Sequence, residues 1–368
     1  MKKHKKPDYI LLSTIALLNL IGLIAIAGAS SAKSLQLTGK STYFLFHQIA
    51  YGLFPGVILA FVLYKLDLEF LRKNSFWIFV SAVLLTALVF IPNLGITILG
   101  GRRWIRIFGF SFQPSELLKL AFLIYLSSWL AKQTKEKQTK EKNTFKSILL
   151  PFLTILAILS IIFILQPDIS TLAMFGLLGG ILYFSAKTPL SHIIILGCIG
   201  GIALSLLILL APYRVNRLFV FLNPEADPLG KGYHIKQALI AVGSGGLFGR
   251  GLGLGEQKLG FLPQPMTDSI FAVFGEEVGF LGTFVVVCLF LIFAWRGIKC
   301  AKEQENEFKK LLTIGITSWI TIQAFINMGT MIGILPLTGM PLPFLSYGGS
   351  ALICELAGCG ILLNITKK

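Results

Sequence analysis

The sequence contains few charged residues and few cysteines for its length. Of the 368 residues, 14% are charged and 55% are hydrophobic, whereas soluble proteins carry about 25% charged residues. With a mean hydropathy of +0.78, the chain is not expected to have water as its main solvent, and a disordered protein is excluded. A secreted disulfide scaffold is excluded by size. Four of the five cysteines lie within predicted helices, which argues against structural disulfides.

The sequence also lacks the patterns of nucleotide, metal and nucleic-acid sites. No G-x-x-x-x-G-K-[S/T] is present, so the glycine-rich segment 223–251 is not predicted to bind a nucleotide. The four histidines are scattered and show no metal-ligand spacing. The net charge of +16 is spread over short basic runs between long apolar stretches. Such runs are typical of membrane-protein loops, so the predicted partner is the lipid bilayer and no nucleic acid.

The long apolar stretches predict an all-α polytopic membrane protein. Most are free of charge over roughly the 20 residues that a spanning helix needs, and they are continuous rather than alternating, which favours helices over a β-barrel. We predict one membrane domain, residues 1–368, with a large extracytoplasmic loop at 213–268. Its ten helices are expected at 9–31, 43–64, 75–93, 115–131, 147–166, 169–186, 189–212, 269–297, 311–334 and 348–365.

Ten membrane helices place both termini on one side of the membrane. Most of the 33 lysines and arginines fall on that side, so the positive-inside rule predicts that both termini are cytoplasmic. The apolar run that follows Lys2–Lys6 is long enough to span the bilayer. We therefore expect a retained first helix rather than a cleaved signal peptide.

Charged residues at the predicted membrane boundary are the first candidate site residues. Glu116 and Lys119 are three residues apart on one helix face, either as an ion pair that fixes packing or as groups that line a wet cavity. Asp168 lies in a short turn between two helices. It is interpreted either as a cap of the following helix or as a buried carboxylate that needs a cationic partner.

A basic and aromatic cluster precedes Glu116 in the sequence. Arg102, Arg103 and Arg106 surround Trp104, and such residues commonly anchor a protein at the lipid headgroups. The alternative is a cationic clamp for a phosphate, since the guanidinium donates two parallel hydrogen bonds, with the indole stacked on a sugar. The residues alone favour neither interpretation.

Three carboxylates lie within ten residues where the predicted external loop enters the next helix. Asp268 precedes a predicted helix and could simply cap it, while Glu276 and Glu277 follow about two turns later. Their number near a membrane entry favours a function, because repulsion and burial would raise the pKa of at least one of them. The segment 336–350 is expected to form a rigid external loop, and Glu355 to pair internally.

Five motifs, taken in order, resemble the SEDS family of bacterial membrane proteins, the FtsW/RodA/SpoVE group. They are GRRWI…QPSELLKL, QPD, NPEADPLGKGYHIKQALIAVGSGGLFGRG, LPQPMTDSIFAVFGEE and LPLTGMPLPFLSYGGS. The resemblance covers nearly the whole chain, including the ten-helix topology. DYILL, GITSWITIQAFIN and GILLNI are more similar to FtsW, whereas NPEADPLGKGYHI is closer to RodA.

The resemblance implies a peptidoglycan glycosyltransferase of the bacterial inner membrane that polymerises lipid II, an undecaprenyl-diphosphate-linked disaccharide pentapeptide. A general base would take the proton of the attacking sugar hydroxyl, and a cationic group or a divalent cation (Mg or Mn) would stabilise the leaving diphosphate. The implied partner is a class B penicillin-binding protein transpeptidase. A lipid II flippase and a non-catalytic cell-division scaffold are the alternatives, and septal and lateral wall roles both stay open.

The resemblance also assigns site residues. It implies Asp268 as the essential acidic residue, Trp104 beside Arg103 in the first external motif, and three charged residues of a central cavity: Glu116, Lys119 and Asp168. The family often has L-P-E-x-H-T-D-F where this chain has Gln264, Met266 and Ser269. A histidine beside the aspartate is therefore absent from the motif, and the predicted mechanism has to work without it.

Overall fold

The computed structural model describes residues 6–92, 94–98, 101–107, 110–139, 145–209, 212–223, 225, 227 and 230–367. A small sheet contains β1 Gly95–Ile98, β2 Gly101–Ile107 and β3 Phe110–Phe112. The helices are α1 Tyr9–Thr38, α2 Tyr43–Gln48, α3 Phe54–Lys65, α4 Leu68–Ala87, α5 Pro114–Thr139, α6 Leu150–Leu165, α7 Ile169–Ser185, α8 Leu190–Leu209, α9 Pro212–Leu222, α10 Lys231–Ser244, α11 Ile270–Lys302, α12 Glu307–Met331 and α13 Gly349–Ile365.

The helices confirm the predicted α-helical membrane fold. Within the described residues, six segments are long and apolar enough to cross a membrane: Tyr9–Thr38, Tyr43–Lys65, Leu68–Phe90, Phe145–Leu165, Ile270–Lys302 and Glu307–Met331. Shorter apolar helices include α7 and α13. Large apolar side chains such as Trp77 (69% exposed) and Phe54 (65% exposed) point outward, as expected of surfaces that face lipid. The chain is thus a multi-pass membrane protein, and the number of crossing helices stays a prediction.

The predicted and observed helices differ mainly at their ends. Helix α1 continues to Thr38 and α5 to Thr139, each several residues beyond the prediction. Helix α4 begins at Leu68, where Asp67 accepts a hydrogen bond from the backbone N–H of Glu69 (3.1 Å). The prediction ended each helix at the first charges, but a helix continues past the hydrocarbon layer wherever water or headgroups solvate its side chains.

The predicted external loop 213–268 contains helical segments as well as irregular ones. Its described residues include α9 and α10. Helix α10 is the longer of the two. It packs against α11, where a Cβ on Gly245 would lie 2.1 Å from the carbonyl oxygen of Gly275. The loop is thus fixed to the helix that follows Asp268.

The antiparallel sheet β1-β2-β3 was not predicted. Its strands are short, and the arginines of β2 obscure any alternation of apolar and polar residues. The β1–β2 register pairs Ile96 with Trp104 and Thr97 with Arg102, so Arg103 is an extra residue in β2 without a partner in β1. A bulge of this kind redirects a side chain and is common beside active sites.

Close helix contacts hold the loop between α12 and α13, which we call the 332–348 loop. A Cβ on Gly22 of α1 would lie 2.2 Å from the carbonyl oxygen of Phe344 in this loop, and one on Gly360 of α13 would lie 2.3 Å from that of Ala60 in α3. Small residues allow such close approach in membrane helices. The first contact fixes the 332–348 loop against α1, and the second packs α13, which follows the loop, against α3.

Helix α11 connects the Asp268 turn to the contacts of both chain ends, with a break in helical geometry at Gly279 (φ 71°). Asp268 lies just before its first residue. Near its last turns, Arg296 donates from Nε to Asp8 (2.8 Å), and Gln304 donates to the backbone carbonyl of Ile365 (3.4 Å). Asp8 and Ile365 therefore lie at the same face of the molecule, near the last turns of α11. That this shared face is cytoplasmic stays a prediction.

Candidate functional site

Asp268 lies in a tight turn that leads into α11. The backbone N–H groups of Thr267 and Ser269 both donate to the carbonyl oxygen of Gln264 (3.2 Å each). Gln264 adopts a left-handed backbone conformation with φ of 51°, which few residues other than glycine do. The turn fixes the backbone on both sides of Asp268, whose side chain is partly exposed.

Helix α12 and the 332–348 loop hold this turn from one side. Asn327 donates from Nδ2 to the backbone carbonyl of Asp268 (2.8 Å), and Ser346 donates from Oγ to that of Thr267 (2.7 Å). The backbone N–H of Tyr347 donates to the carbonyl of Met266 (2.8 Å). The structure thereby brings together two motifs that are about 70 residues apart, and the expected rigid loop supports the aspartate.

The carboxylate of Asp268 has no hydrogen-bond partner among the described residues. Burial raises its pKa from 3.8 to about 6, while the charge of Arg103 acts in the opposite direction. Gly339 lies opposite the carboxylate, since a Cβ there would be 3.6 Å from Oδ2, and its φ of 72° favours glycine. Asp268 therefore combines a desolvated carboxylate with free lone pairs.

Arg103 places a positive charge near both aspartates. From the bulge in β2 it donates to the backbone carbonyls of Gln166 (3.4 Å) and Pro167. Its Nε also lies 3.8 Å from Oδ2 of Asp168. Gly101 leaves the necessary space, because a Cβ there would lie 2.8 Å from Nε of Arg103. The Arg103 side chain is 35% exposed, so it remains open to an anion.

Asp168 satisfies both interpretations made from the sequence. Its carboxylate accepts hydrogen bonds from the backbone N–H (3.3 Å) and the hydroxyl (2.9 Å) of Thr171 at the start of α7, and it also contacts Arg103. Ser170 donates to the backbone carbonyl of Thr338 (2.8 Å), next to Gly339. Asp168 is thus a helix cap with a cationic partner, 4% exposed, in the same region as Asp268.

Trp104 lies next to Arg103 in β2, paired with Ile96, and its side chain is partly exposed. Arg102 and Arg106 are exposed. The aromatic surface and the guanidiniums therefore occupy the same hairpin. The proposed contacts with a sugar and a phosphate stay predictions.

Glu116 and Lys119 form a buried ion pair. Their side chains are 4% exposed and Nζ lies 2.9 Å from Oε2 of Glu116. Lys119 also donates to Oε1 of Gln323 (2.8 Å) and lies 5.3 Å from the ring centroid of Trp319. Gln323 in turn donates to the backbone carbonyl of Pro341 (3.0 Å). The pair therefore supports the 332–348 loop through Gln323. That the pair binds substrate stays a prediction.

Glu355 in α13 also contacts this loop. Its Oε2 accepts a hydrogen bond from the backbone N–H of Phe344 (2.9 Å), and its side chain is buried. The expected internal pairing is therefore made with a backbone N–H group of the 332–348 loop.

Glu276 and Glu277 do not share the environment of Asp268. Glu277 forms a buried salt bridge with Lys258 (2.7 Å). Glu276 accepts hydrogen bonds from the backbone N–H groups of Glu256 (2.9 Å) and Gln257 (3.1 Å). Both glutamates thus anchor residues 256–258 to α11. The sequence suggested one cluster of three acids, but the structure leaves Asp268 separate from the other two.

One residue near Asp268 was missed by sequence reasoning. His234 of α10 places Nε2 2.7 Å from Oγ of Ser269, the residue that follows Asp268. The motif around Asp268 contains no histidine. The packing of α10 nevertheless brings His234 close to Asp268, although it lies 34 positions earlier in the sequence. No local spacing signals this contact, because it depends on how α10 packs against α11.

The chain is similar to known proteins over its full length. The model of the FtsW/RodA/SpoVE family, described as cell cycle protein, matches residues 9–368. Stage V sporulation protein E of Bacillus subtilis is 39% identical over 365 residues, which are 99% of this chain and 98% of that protein. A probable peptidoglycan glycosyltransferase FtsW of Geobacter sulfurreducens is 37% identical over 368 residues, 100% of this chain and 97% of that one.

Solved structures agree with these relatives. A chain from a peptidoglycan synthase complex, described as coordinating polymerization and crosslinking, has a TM-score of 0.78 at 26% identity and covers 98% of this chain and 97% of its own. The rod shape determining protein RodA of Thermus thermophilus has a TM-score of 0.71 at 25% identity, with 98% and 96% covered. The chain belongs to the FtsW/RodA/SpoVE family.

Proposed function

We propose that this protein is a peptidoglycan glycosyltransferase of the bacterial inner membrane that polymerises lipid II, with Asp268 as the general base. The observation that carries the proposal is the Asp268 carboxylate. It is partly exposed, its pKa is raised to about 6 by burial, and it has no protein hydrogen-bond donor among the described residues. The names of the relatives support the reaction class.

The reaction would proceed as one displacement. The hydroxyl of the acceptor sugar transfers its proton to Asp268, and its oxygen forms a bond to the anomeric carbon of the donor. The bond between that carbon and the diphosphate oxygen breaks, and the diphosphate leaves with the electron pair. A base with a pKa of about 6 is mostly ionised at pH 7 and a stronger acceptor than an ordinary aspartate.

Arg103 is the proposed partner of the leaving diphosphate. Its guanidinium is near Asp268, and backbone carbonyls and Asp168 orient it. Preorganised positive charge stabilises the charge that develops in a transition state. Trp104 would bind a sugar face on the same hairpin. The Glu116–Lys119 pair would act on substrate mainly through the 332–348 loop, which it supports. Asp168 would act mainly through Arg103, which it orients.

A divalent cation would supply charge neutralisation for the diphosphate when bound. No group of three or more metal-ligating side chains occurs in the described part of the chain, so these residues do not make a metal cage by themselves. Magnesium is commonly held by one or two carboxylates together with substrate phosphates. Asp168 already contacts Arg103 and Thr171 and Asp268 is the proposed base, so the substrate diphosphate would be the main ligand of such a cation. Adding a chelator, then Mg or Mn, tests this.

The proposed partner is a class B penicillin-binding protein transpeptidase, and the proposed duty lies in cell division or elongation. Support for a partner comes from the similarity to a chain of a peptidoglycan synthase complex. The relatives named FtsW and SpoVE agree with the predicted FtsW-like subgroup. Polymerisation measured with and without such a transpeptidase tests whether the chain needs it.

The deciding experiment uses the purified protein in liposomes with lipid II. We expect polymer from the unmodified chain and none from Asp268→Asn, because the amide accepts no proton. Asp67→Asn is the matched control: that residue is exposed in the turn between α3 and α4, and asparagine caps a helix equally well. Translocated monomer without polymer would indicate a flippase, and neither product a scaffold. Full polymer yield from Asp268→Asn would refute the proposed base.

A further inference from the structure

The turn that carries Asp268 is held from two sides. Helix α12 and the 332–348 loop donate hydrogen bonds to the backbone carbonyls of residues 266, 267 and 268. On the other side, α10 reaches the turn through His234, whose Nε2 lies 2.7 Å from Oγ of Ser269. Ser269 is fully buried and directly precedes α11. A shift of Ser269 would therefore shift its neighbour Asp268.

The hydrogen-bond pattern sets the proton on His234. The hydroxyl of Ser269 has one hydrogen, and its Oγ donates to the backbone carbonyl of Pro263 at 2.8 Å. Because that hydrogen points to Pro263, Oγ can only accept a hydrogen bond from His234. Nε2 of His234 must therefore be the donor. Burial lowers the pKa of His234 from its usual 6.5, so the ring is neutral at pH 7 with its hydrogen on Nε2.

We propose that His234 is a positioning residue for Asp268: its neutral imidazole donates to Ser269 and thereby fixes the aspartate in its place facing Gly339. The inference rests on the proposed role of Asp268 as the base. A general base must lie within about 3 Å of the proton that it takes, and a displacement of about 1 Å can lower a rate by about 10²-fold. Helix α10 thus supplies, from another element, the histidine that the local motif lacks.

Two variants of His234 separate the effect of its hydrogen bond from the effect of the bulk of its ring. His234→Leu keeps an apolar side chain of similar bulk but has no donor, whereas His234→Gln puts an amide N–H close to the position of Nε2. For lipid II polymerisation by the full chain in liposomes, we expect about a tenfold lower kcat for His234→Leu with KM within about twofold. We expect His234→Gln to retain at least about half of the parent kcat.

A double-mutant cycle tests whether His234 acts through Ser269. Ser269→Ala removes the hydroxyl that His234 contacts. If the proposal is right, adding His234→Leu to Ser269→Ala lowers kcat by less than about twofold, because the interaction is already lost. The matched control is His192→Leu, which breaks a contact with the Tyr183 hydroxyl (2.8 Å) in another buried pair, between α7 and α8. It is expected to leave kcat within about twofold.

A pH profile gives a second readout, which reports on the environment of the Asp268 carboxylate rather than on the overall rate. Arg103 from β2 and His234 from α10 are the charged or titratable side chains that the described contacts bring near Asp268, and α12 presents the neutral Asn327. A looser turn hydrates the carboxylate. The acid limb of the kcat profile, near pH 6 in the parent, should therefore move to lower pH in His234→Leu.

Several results would overturn the inference. A parent-like kcat in His234→Leu, an equal defect in His234→Gln, or additive effects in the cycle would each refute it. If His234→Leu does not fold, as judged by size-exclusion and thermal unfolding, His234→Gln and Ser269→Ala decide the question. Parent-like polymerisation by Asp268→Asn would instead refute the proposed function, so the two failures are distinguishable.

Discussion

Replacing Asp268 by asparagine should abolish polymerisation and yet stabilise the fold. The folded protein raises the pKa of this carboxyl from 3.8 to about 6 because it is desolvated. Each unit of pKa difference corresponds to about 1.4 kcal/mol between the two protonation states. At pH 7, the ionised carboxylate therefore lowers the free energy of unfolding by about 3 kcal/mol. Asparagine has a similar shape and no such penalty.

The sign of the pH dependence follows from the two pKa values. The unfolded chain ionises Asp268 from about pH 4 upward, whereas the folded chain resists ionisation until about pH 6. The destabilisation therefore grows between these values and is complete above pH 6. The advantage of Asp268→Asn should be about 3 kcal/mol at pH 7 and less than about 1 kcal/mol at pH 4.

Thermal unfolding of the purified proteins in detergent at pH 7 and pH 4 measures this difference. Asp8→Asn is the matched control with the opposite sign. Burial raises the pKa of Asp8, but its hydrogen bonds to Arg296 and to the backbone N–H of Leu11 outweigh burial and lower it overall. Asp8→Asn should therefore melt below the parent at pH 7. If Asp268→Asn also melts lower, or its gain is equal at both pH values, the carboxylate is not desolvated.

Two further substitutions test other parts of the site. Lys258→Met should lower the free energy of unfolding by about 3–5 kcal/mol, because it leaves the buried Glu277 without its cation; thermal unfolding checks this, and a parent-like melting temperature would contradict it. Trp104→Ala should weaken polymerisation mainly through binding, with a higher KM for lipid II and a nearly unchanged kcat, and an unchanged rate at limiting lipid II would count against the sugar contact.

The membrane helices could be predicted because the bilayer imposes a simple rule on sequence. A charge-free run of sufficient length is a strong signal, and it located α1, α6 and α11 without further information. The ends of the helices and the sheet were not predictable in this way. Helix α5 continues to Thr139 beyond the hydrocarbon, where charge is tolerated, and β2 contains three arginines in seven residues, which no hydrophobic alternation reveals.

The candidate site was predictable as a set of residues but not as a geometry. The resemblance to a family marked Asp268, Arg103 and Asp168, and the structure shows how they meet: a bulge in β2 aims Arg103 at the end of α6 and the start of α7. The contact of His234 with Ser269 needed the packing of α10 on α11. Long-range contacts of this kind leave no local pattern in a single sequence.

The buried acids indicate why Asp268 in particular is suited to accept a proton. Glu277 and Glu116 each face a lysine, Glu276 accepts two backbone hydrogen bonds, and Asp168 caps α7. A carboxylate whose lone pairs are engaged by donors is stabilised as an anion, and it must give up those bonds to take a proton. Asp268 has no such donor among the described residues, so protonation there breaks no bond. The distribution of donors, more than the number of acids, therefore supports Asp268 as the proposed base.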